Sequence, residues 1–532
     1  MADCLMGVET EYAITSIRGQ EAADPALVVR RLLELAHAAL PHVLDGGSSG
    51  LFLENAARLY LDHGLHIEYA TPECANPWDA VRYVESGHRM MLDLVQKFAK
   101  SRPEEEETGC FRVNVDYSGF GTSWGCHESY LHKMPPEELP DQLIPHLVSR
   151  VIYTGAGGFE PLSGGLRFTL SPRASHIERV ISDDSIDARG IFHTKNEPLC
   201  AGYHRLHVLC GESLCSHLAM FVRFGATSLV VAMAEAGLRP GKDVQLVSAI
   251  EAWRSVSRDP TCKTKLRVKG SSGMTAIEIQ RHYLTMAEAH LGDSFMPPWA
   301  STVCTHWRRV LDRLEDGPGA VNTMLDWAIK LSLYVNHASR QALDWDRLPF
   351  WSDVVDRLRS ALNAPDEDEP FALDLAIGPL TSIPEVVAEL RELVASKGLH
   401  WDELRQVLAQ RAEFLETDIR FGQLGPRGVF TTLDAAGILD HRVDGVDNIE
   451  HAVLNPPSSG RAQLRGAVIK RVAGDKEGEW YGDWHQVFSR THGRLLDLSD
   501  PFAPAESWHD IPRGKVRFPE SEMLMNDLDS PF

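Results

Sequence analysis

An α+β fold is the class this sequence predicts, and three observations predict it. Short segments with period-two alternation crowd the N-terminal quarter, stripes of period 3.6 lie between and after them, and the two kinds never settle into regular strand–helix–strand order. A parallel, doubly wound sheet needs that regular order, so strands and helices here are expected to build a largely antiparallel sheet backed by helices.

The elements follow in order. CLMGVETEYAIT, residues 4–15, reads as a strand with Glu9 and Glu11 on one face and Val8 and Tyr12 on the other. A helix starts near Pro25, because Asp24 can cap it and Val28, Leu32, Leu33, Leu35 and Leu40 form an apolar stripe. Gly46 to Gly50 is a turn. The apolar runs LFLENAARLYLD and HIEYATPE, separated by HGL, predict a pair of antiparallel strands. Arg58, Tyr60 and Asp62 then share one face of the first, and His66 and Glu68 share one face of the second. A longer helix over 77–98 precedes an acidic turn at Pro103 to Glu107. Further strands are expected in FRVNVDY, LRFTLSP and RLHVLCG, with a helix near Ser216 to Ala236.

From about Trp345 the texture changes. NAPDEDEP is a polar, proline-containing linker, and Ser382 to Glu385 is a Ser-x-x-Glu capping box opening a helix that stops at Gly398. NPPSSGR, residues 455–461, marks another boundary. The expected organisation is a catalytic unit over 1–345, a helical insertion over 346–410, the end of the catalytic unit over 411–454, and a smaller C-terminal unit over 455–532.

Composition narrows the function. The 532 residues carry 53 basic and 75 acidic side chains, a net charge of −22, which argues against general nucleic-acid binding because phosphate neutralisation needs a dense basic surface. The sequence reading finds no bilayer-spanning apolar run and no secretory signal, so a cytoplasmic protein is expected. Nine scattered cysteines without a Cys-x-x-Cys are expected to be reduced structural thiols.

The strongest local constellation is Glu9, Glu11, Tyr60, Asp62 and Glu68. Like charges on neighbouring strands repel strongly in a low-dielectric cleft, and a divalent cation removes that cost. Oxygen ligation suits Mg²⁺, which points toward a nucleotide. The bland alternative is the wet face of a sheet. WGCHESYLH is not a zinc-protease motif, since His127 and His132 are five positions apart, but His127 and Glu128 are candidates to line the same cleft. The glycines at 155–158 and 163–165 match no phosphate-loop pattern and read as turns. Lys195, His204, Arg205 and His207 are candidate phosphate or carboxylate partners. Trp484 could stack on a base or belong to a core.

Several of these segments resemble the family of Pup ligase and its relative, the deamidase and depupylase of Pup. The carriers are MGVETEY (6–12), FLENAARLYLD (52–62), EYATPEC (68–74), NVDYSGFGTSWGCHESYL (114–131), the region 191–214, RAQLRG (461–466) and DPF (500–502). The resemblance implies a glutamine-synthetase-like catalytic domain with a smaller C-terminal domain. It also implies ATP and Mg²⁺ as cofactors and a Pup-like small protein modifier as partner. In the ligase, ATP phosphorylates the side chain of the modifier's C-terminal glutamate, and an exposed lysine of a target protein attacks to form an isopeptide bond. Carried over residue by residue, Glu9, Tyr60 and Glu68 would bind magnesium, Arg58, Thr71 and Trp484 would contact ATP, and Asp62 would be the catalytic base. An indirect link to a bacterial proteasome is implied as well, with no nucleic-acid or membrane partner.

The short spacing between Glu11 and FLENAARLYLD and the DPF motif favour the ligase, whereas LDHG and NPP have a deamidase flavour. Other readings are hydrolysis of the same amide, a ligase acting on small-molecule glutamate and amine, and a nucleotide-binding scaffold. The chain also departs from the family. Where the family reads Asn-Thr-Arg-Asp-Glu-Pro-His, this chain has His193, Thr194, Lys195, Asn196, Glu197, Pro198 and Leu199, and a glycine before Arg58 becomes Ala56.

Overall fold

A computed structural model describes residues 4–18, 21–62, 64–102, 107–117, 121–163, 165–182, 188–193, 202–351, 400–475 and 477–511, with isolated positions between 388 and 395. Lys195, Asn196, Leu199 and their neighbours and the linker at 363–370 lie outside the described residues, and of the helix expected from Ser382 only isolated positions are described.

The α+β expectation holds. One curved 15-stranded sheet dominates, and its central order is His204–Val208, Cys126–His132, Met6–Arg18, Ile67–Ala70, Arg58–Leu61, Leu51–Leu53 and His42–Asp45. All these neighbours are antiparallel. The strand Trp480–Gly482 joins His42–Asp45 in parallel, and Gln486–Ser489, Arg494–Asp497 and Ser507–Asp510 carry the sheet to its far edge. The C-terminal segment therefore extends the same sheet.

Strand alternation sorts the first strand as expected. Val8 and Tyr12 are buried among the helices, while Glu9 and Glu11 face the other way. On the core side lie the helices Pro25–Ala39, capped by Asp24, Pro77–Ser101, capped by Asn76, and His217–Glu235, capped by Ser216. The last corrects the sequence reading, because it is long and apolar enough to cross a membrane by length and composition. It is buried along its length within the fold instead, where it packs against Pro77–Ser101 and Ala300–Glu315.

Other expectations need correction. LFLENAARLYLD is two strands, Leu51–Leu53 and Arg58–Leu61, joined by a tight turn in which Ala56 takes the left-handed φ of 67°. The strand expected in FRVNVDY lies earlier, over Glu107–Phe111, and LRFTLSP contributes only Phe168–Thr169. CHESYLH is a strand in the centre of the sheet, although polar Glu128 and His132 lie on its buried face. The helix Trp401–Phe421 follows without a break. It is anchored by buried Asp418, which accepts hydrogen bonds from Lys330 (2.8 Å), Tyr334 (2.5 Å) and Tyr117 (2.6 Å). All eight described cysteines are free thiols.

At the far side of the site, the helix Gly460–Val472 packs Val468 and Ile469 against Val43, Phe52 and Val487. Phe52 points opposite to its neighbours Leu51 and Leu53, which belong to the other core. Both faces of the sheet are thus covered at this end, leaving an open cleft over the strands that carry the acids.

Candidate active site

Cross-strand register assembles the cleft. Glu11 stands opposite Glu68, Glu68 opposite Tyr60, and Glu9 opposite His127. Residues directly opposite on one face have Cβ atoms about 5 Å apart, so the expected constellation is one contiguous patch.

Each acid meets a different environment. Glu9 accepts a hydrogen bond from Arg205 Nη2 at 2.8 Å, with His207 Nε2 at 3.7 Å and His127 Nδ1 at 3.8 Å. Burial works to raise its pKa, but Arg205, His207 and His127 prevail and hold it below the carboxylate range. Glu11 Oε2 accepts the Gly125 N–H and faces His66 Nδ1, both at 3.0 Å. Against the effect of burial, these imidazoles and Arg173 lower its pKa to about 2. Glu68 meets weaker support, a hydrogen bond from Tyr60 and the charge of Arg58. Burial first, then repulsion from Glu9 and Glu11, pushes its carboxyl well above the ordinary value, and its Oε1 is buried with no hydrogen-bond partner among the described residues. Tyr60 shares this pocket, and burial, Glu68 and Glu9 keep its phenol protonated.

Asp62 sits at the rim, at the start of the turn into the next strand. Its Oδ1 accepts the His66 backbone N–H at 2.6 Å, and its Oδ2 lies 3.7 Å from His66 Nδ1. Burial and the nearby Glu11 charge raise its pKa, which makes it a stronger base than an ordinary aspartate. Its side chain keeps 20% exposure, so a reactant can reach it from solvent.

Arg58 is held by Asp45 Oδ2, at 2.7 Å from Nε and 2.6 Å from Nη2, and its guanidinium carbon lies 3.9 Å from the centre of the Tyr60 ring. Thr71 is buried, and its hydroxyl accepts the Val8 N–H at 3.1 Å. Trp484 occupies the turn between Trp480–Gly482 and Gln486–Ser489, edge-on to Phe52, with Arg465 over its ring at 5.0 Å. A cleft of about 620 Å³ including its open mouth runs between them, lined by Glu9, Thr71, Glu73, Arg205, Arg461 and Trp484.

The structure thus brings Glu9, Tyr60, Glu68, Arg58 and Asp62 onto one sheet face, with Thr71 and Trp484 along the adjoining cleft. It also corrects neighbouring expectations. Glu128 does not line the cleft, because it alternates with His127 and is fully buried against Arg150, at 2.6 and 2.9 Å. His204 points away from Arg205 and His207 and sits beside His132. The donor set at Glu9 is not purely oxygen, since its carboxylate and the imidazoles of His127 and His207 each bring a ligand atom within 4.8 Å of the others. A second group of the same kind is Glu11, Asp62 and His66.

Sequence reasoning missed Glu73, Arg461 and Arg465 as a unit. Glu73 Oε1 accepts from Arg461 Nε and Oε2 from Arg465 Nη2, both at 2.5 Å. The i, i+4 spacing in RAQLRG puts both arginines on one helical face, and that was the available signal. Arg173, buried beside the Glu11 end of the cleft, was missed without one.

Comparisons with known proteins match this architecture. The sequence profile described as Pup-ligase protein matches residues 4–354 and 389–488. The Pup–protein ligase of Rhodococcus erythropolis (strain PR4 / NBRC 100887) is 32% identical over 510 residues, spanning 94% of this chain and 96% of the relative. The Pup–protein ligase of Mycolicibacterium smegmatis is 32% identical over 509 residues, with coverage of 94% and 96%. Among solved structures, the complex between prokaryotic ubiquitin-like protein Pup and its ligase PafA superposes with a TM-score of 0.70 at 27% identity, covering 95% of this chain and 90% of that one. PafA in complex with ADP gives 0.64 at 27% identity, covering 91% and 92%. Sequence and three-dimensional likeness extend together over nearly the whole length, across the acid-bearing strands and the C-terminal helix alike, and on that ground this chain belongs to the Pup-ligase family.

Proposed function

We propose that this protein is an ATP-dependent carboxylate–amine ligase joining the side-chain carboxylate of a Pup-like modifier's C-terminal glutamate to a lysine of a target protein. The observation that carries the proposal is Glu68, a buried carboxyl whose Oε1 has no hydrogen-bond partner among the described residues, set between Tyr60, Glu9 and Glu11. Such a group is costly unless a cation joins it. Glu9, Tyr60 and Glu68 fit Mg²⁺ as donors, and His127 and His207 stand close enough to Glu9 to adjust its position. When bound, Mg²⁺ would neutralise phosphate charge.

The remaining roles fall to the chain's own residues. Trp484 and Thr71 mark the nucleotide end of the cleft, and Arg461 and Arg205 place positive charge along it toward the acids. Arg58, fixed by Asp45, disperses charge at the phosphoryl group. A carboxylate oxygen of the modifier's glutamate takes the γ-phosphoryl group of ATP, giving an acyl phosphate and ADP. The lysine amine then attacks the acyl carbon, the carbon–oxygen bond to phosphate breaks, and Asp62 takes the proton that the amine loses. Its place at the rim suits that task, because the target lysine arrives from solvent.

The catalytic unit would comprise 1–345 and 411–454, with an insertion within 346–410 and a smaller C-terminal unit over 455–532. The gap between the profile's two matched segments supports the insertion. The partners are the modifier and target proteins in the cytoplasm, with an indirect link to a proteasome. Incubation with ATP, Mg²⁺, a glutamate-terminated Pup-like protein and a lysine-bearing target should yield ADP and a conjugate of higher mass. Cleavage of conjugate without joining, or ADP release driven by free glutamate and a small amine, would overturn the proposal.

A further inference from the structure

A chain whose net charge is −22 carries a surface of the opposite sign. Between Arg239 and Lys269 stand eight basic side chains against three acidic ones, Asp243, Glu251 and Asp259. Asp259 is engaged locally, since its Oδ1 accepts the Thr261 N–H at 2.9 Å and its Oδ2 the Thr264 N–H at 2.6 Å. Glu251 Oε2 stays 4.0 Å from Arg267 Nη1, and the two side chains are 72% and 76% exposed. Glu160 answers Arg258 from outside the segment at 2.5 Å. Among the described residues, Arg239, Lys242, Lys263, Lys265 and Lys269 have no carboxylate within 4.0 Å, although acids outnumber bases 75 to 53 in the chain. Soluble surfaces ordinarily intersperse the two signs, and a field of one sign steers an oppositely charged partner.

Local structure sets these cations in a row. Lys265–Leu266 pairs with Met274–Thr275 in a small sheet separate from the large one. Val268 bridges to Leu246, and the Lys269 N–H donates to the Gln245 carbonyl at 2.8 Å. Leu266 and Val268 are buried in the core that also holds Val8, so Lys265, Arg267 and Lys269 all face solvent. Successive members are about 7 Å apart, the repeat of alternate residues in any extended chain. Lys263 continues the row at one end, and Lys242 stands three positions before Gln245 at the other. Val8 is on the face of the large sheet opposite to Glu9 and Glu11, so the row is rooted on the far side from the cleft.

We infer that the face carrying Lys263, Lys265, Arg267 and Lys269 docks an extended acidic segment of a partner protein, whose carboxylates on alternate residues meet successive cations. The docking does not depend on the ligase function. A single-stranded nucleic acid also offers regularly spaced anions, but it needs ring faces for its bases, and the aromatic residue of this segment, Trp253, is 2% exposed. The negative charge of the remaining chain opposes a long polyanion as well, whereas a short acidic segment ends where the row ends.

The test uses the full chain and three labelled peptides of equal length, one alternating Glu and Ser, its Gln and Ser counterpart, and one with the same Glu residues in a single block. Fluorescence anisotropy at about 50 mM salt should show the alternating peptide bound about tenfold more tightly than the block peptide, with the Gln counterpart unbound. The double variant Lys265→Glu and Lys269→Glu, at exposed positions, should bind the alternating peptide about 10- to 100-fold more weakly. Raising salt to about 300 mM should weaken the wild-type complex as well. No binding of the alternating peptide, equal binding of its Gln counterpart, or unchanged affinity in the double variant would overturn the docking face. Equal affinity for the block peptide would overturn the extended match. Tighter binding of an oligothymidylate would hand the face to nucleic acid and overturn the inference too. If the double variant does not fold, Lys265→Gln with Lys269→Gln takes its place, and the same comparison with wild type decides.

Discussion

Glu73→Gln should loosen the C-terminal unit from the catalytic sheet. Glu73 holds Arg461 and Arg465 through one oxygen each, and both arginines are buried. Burial alone would raise its carboxyl, yet Arg465 and Arg461 bring it from 4.5 down to about 2. A carboxyl so displaced contributes about 3 kcal/mol to folding at neutral pH. Independently, removing one partner of a buried ion pair costs about 3–5 kcal/mol. Arg465 keeps the Ala56 and Trp484 carbonyls and Arg461 keeps that of Leu498, which places the expected loss at the lower end. Urea unfolding followed by tryptophan fluorescence reads this directly, because Arg465 lies over Trp484. The folded pKa is the lower one, so the contribution is complete above the unfolded value of 4.5 and disappears as pH falls toward about 2. The gap between wild type and variant should shrink over that same range. A gap below about 1 kcal/mol at neutral pH, the size of an exposed pair, would refute the reasoning, as would a gap unchanged at about pH 3.

The other predictions concern the cleft. Asp62→Asn should lower kcat by about 10²- to 10⁴-fold with ATP affinity retained, measured by conjugate formation and nucleotide titration. In the wild type, kcat/KM should fall with acid along a limb displaced above the usual aspartate value, because burial and Glu11 raise the Asp62 pKa and only its ionised form takes a proton. Glu9→Gln should weaken Mg²⁺-dependent ATP binding more than Mg²⁺-free binding, as calorimetry with and without chelator would report. Ala56→Gly should raise stability by about 0.5–1 kcal/mol, since relief of a left-handed alanine exceeds the added chain entropy of glycine. Thermal unfolding checks it.

The candidate site was largely legible because period-two alternation is local. Once residues 4–15 were read as a strand, Glu9 and Glu11 had to share a face, and the hairpin motif brought Tyr60 and Asp62 to Glu68 in the same way. Legibility failed where a buried face is polar. Cys126, Glu128, Tyr130 and His132 line the inner side of their strand, so its apolar alternation is hidden, and the Glu128–Arg150 pair that makes burial tolerable is invisible from either residue alone. The turn inside LFLENAARLYLD was hidden for a related reason, since alanine stands at a left-handed position where glycine would have marked a break.

The sequence by itself determined the fold class, the face on which the acids stand, and the need for a counter-charge, because backbone geometry and like-charge repulsion act between near neighbours. Only the tertiary structure decided which cations answer which acids. Arg205 reaches Glu9 across 196 positions and Arg461 reaches Glu73 across 388, while Glu68 Oε1 is left with no hydrogen-bond partner among the described residues. Electrostatic compensation depends on distance in space and on the water excluded along the way, and neither is fixed until the whole sheet has closed.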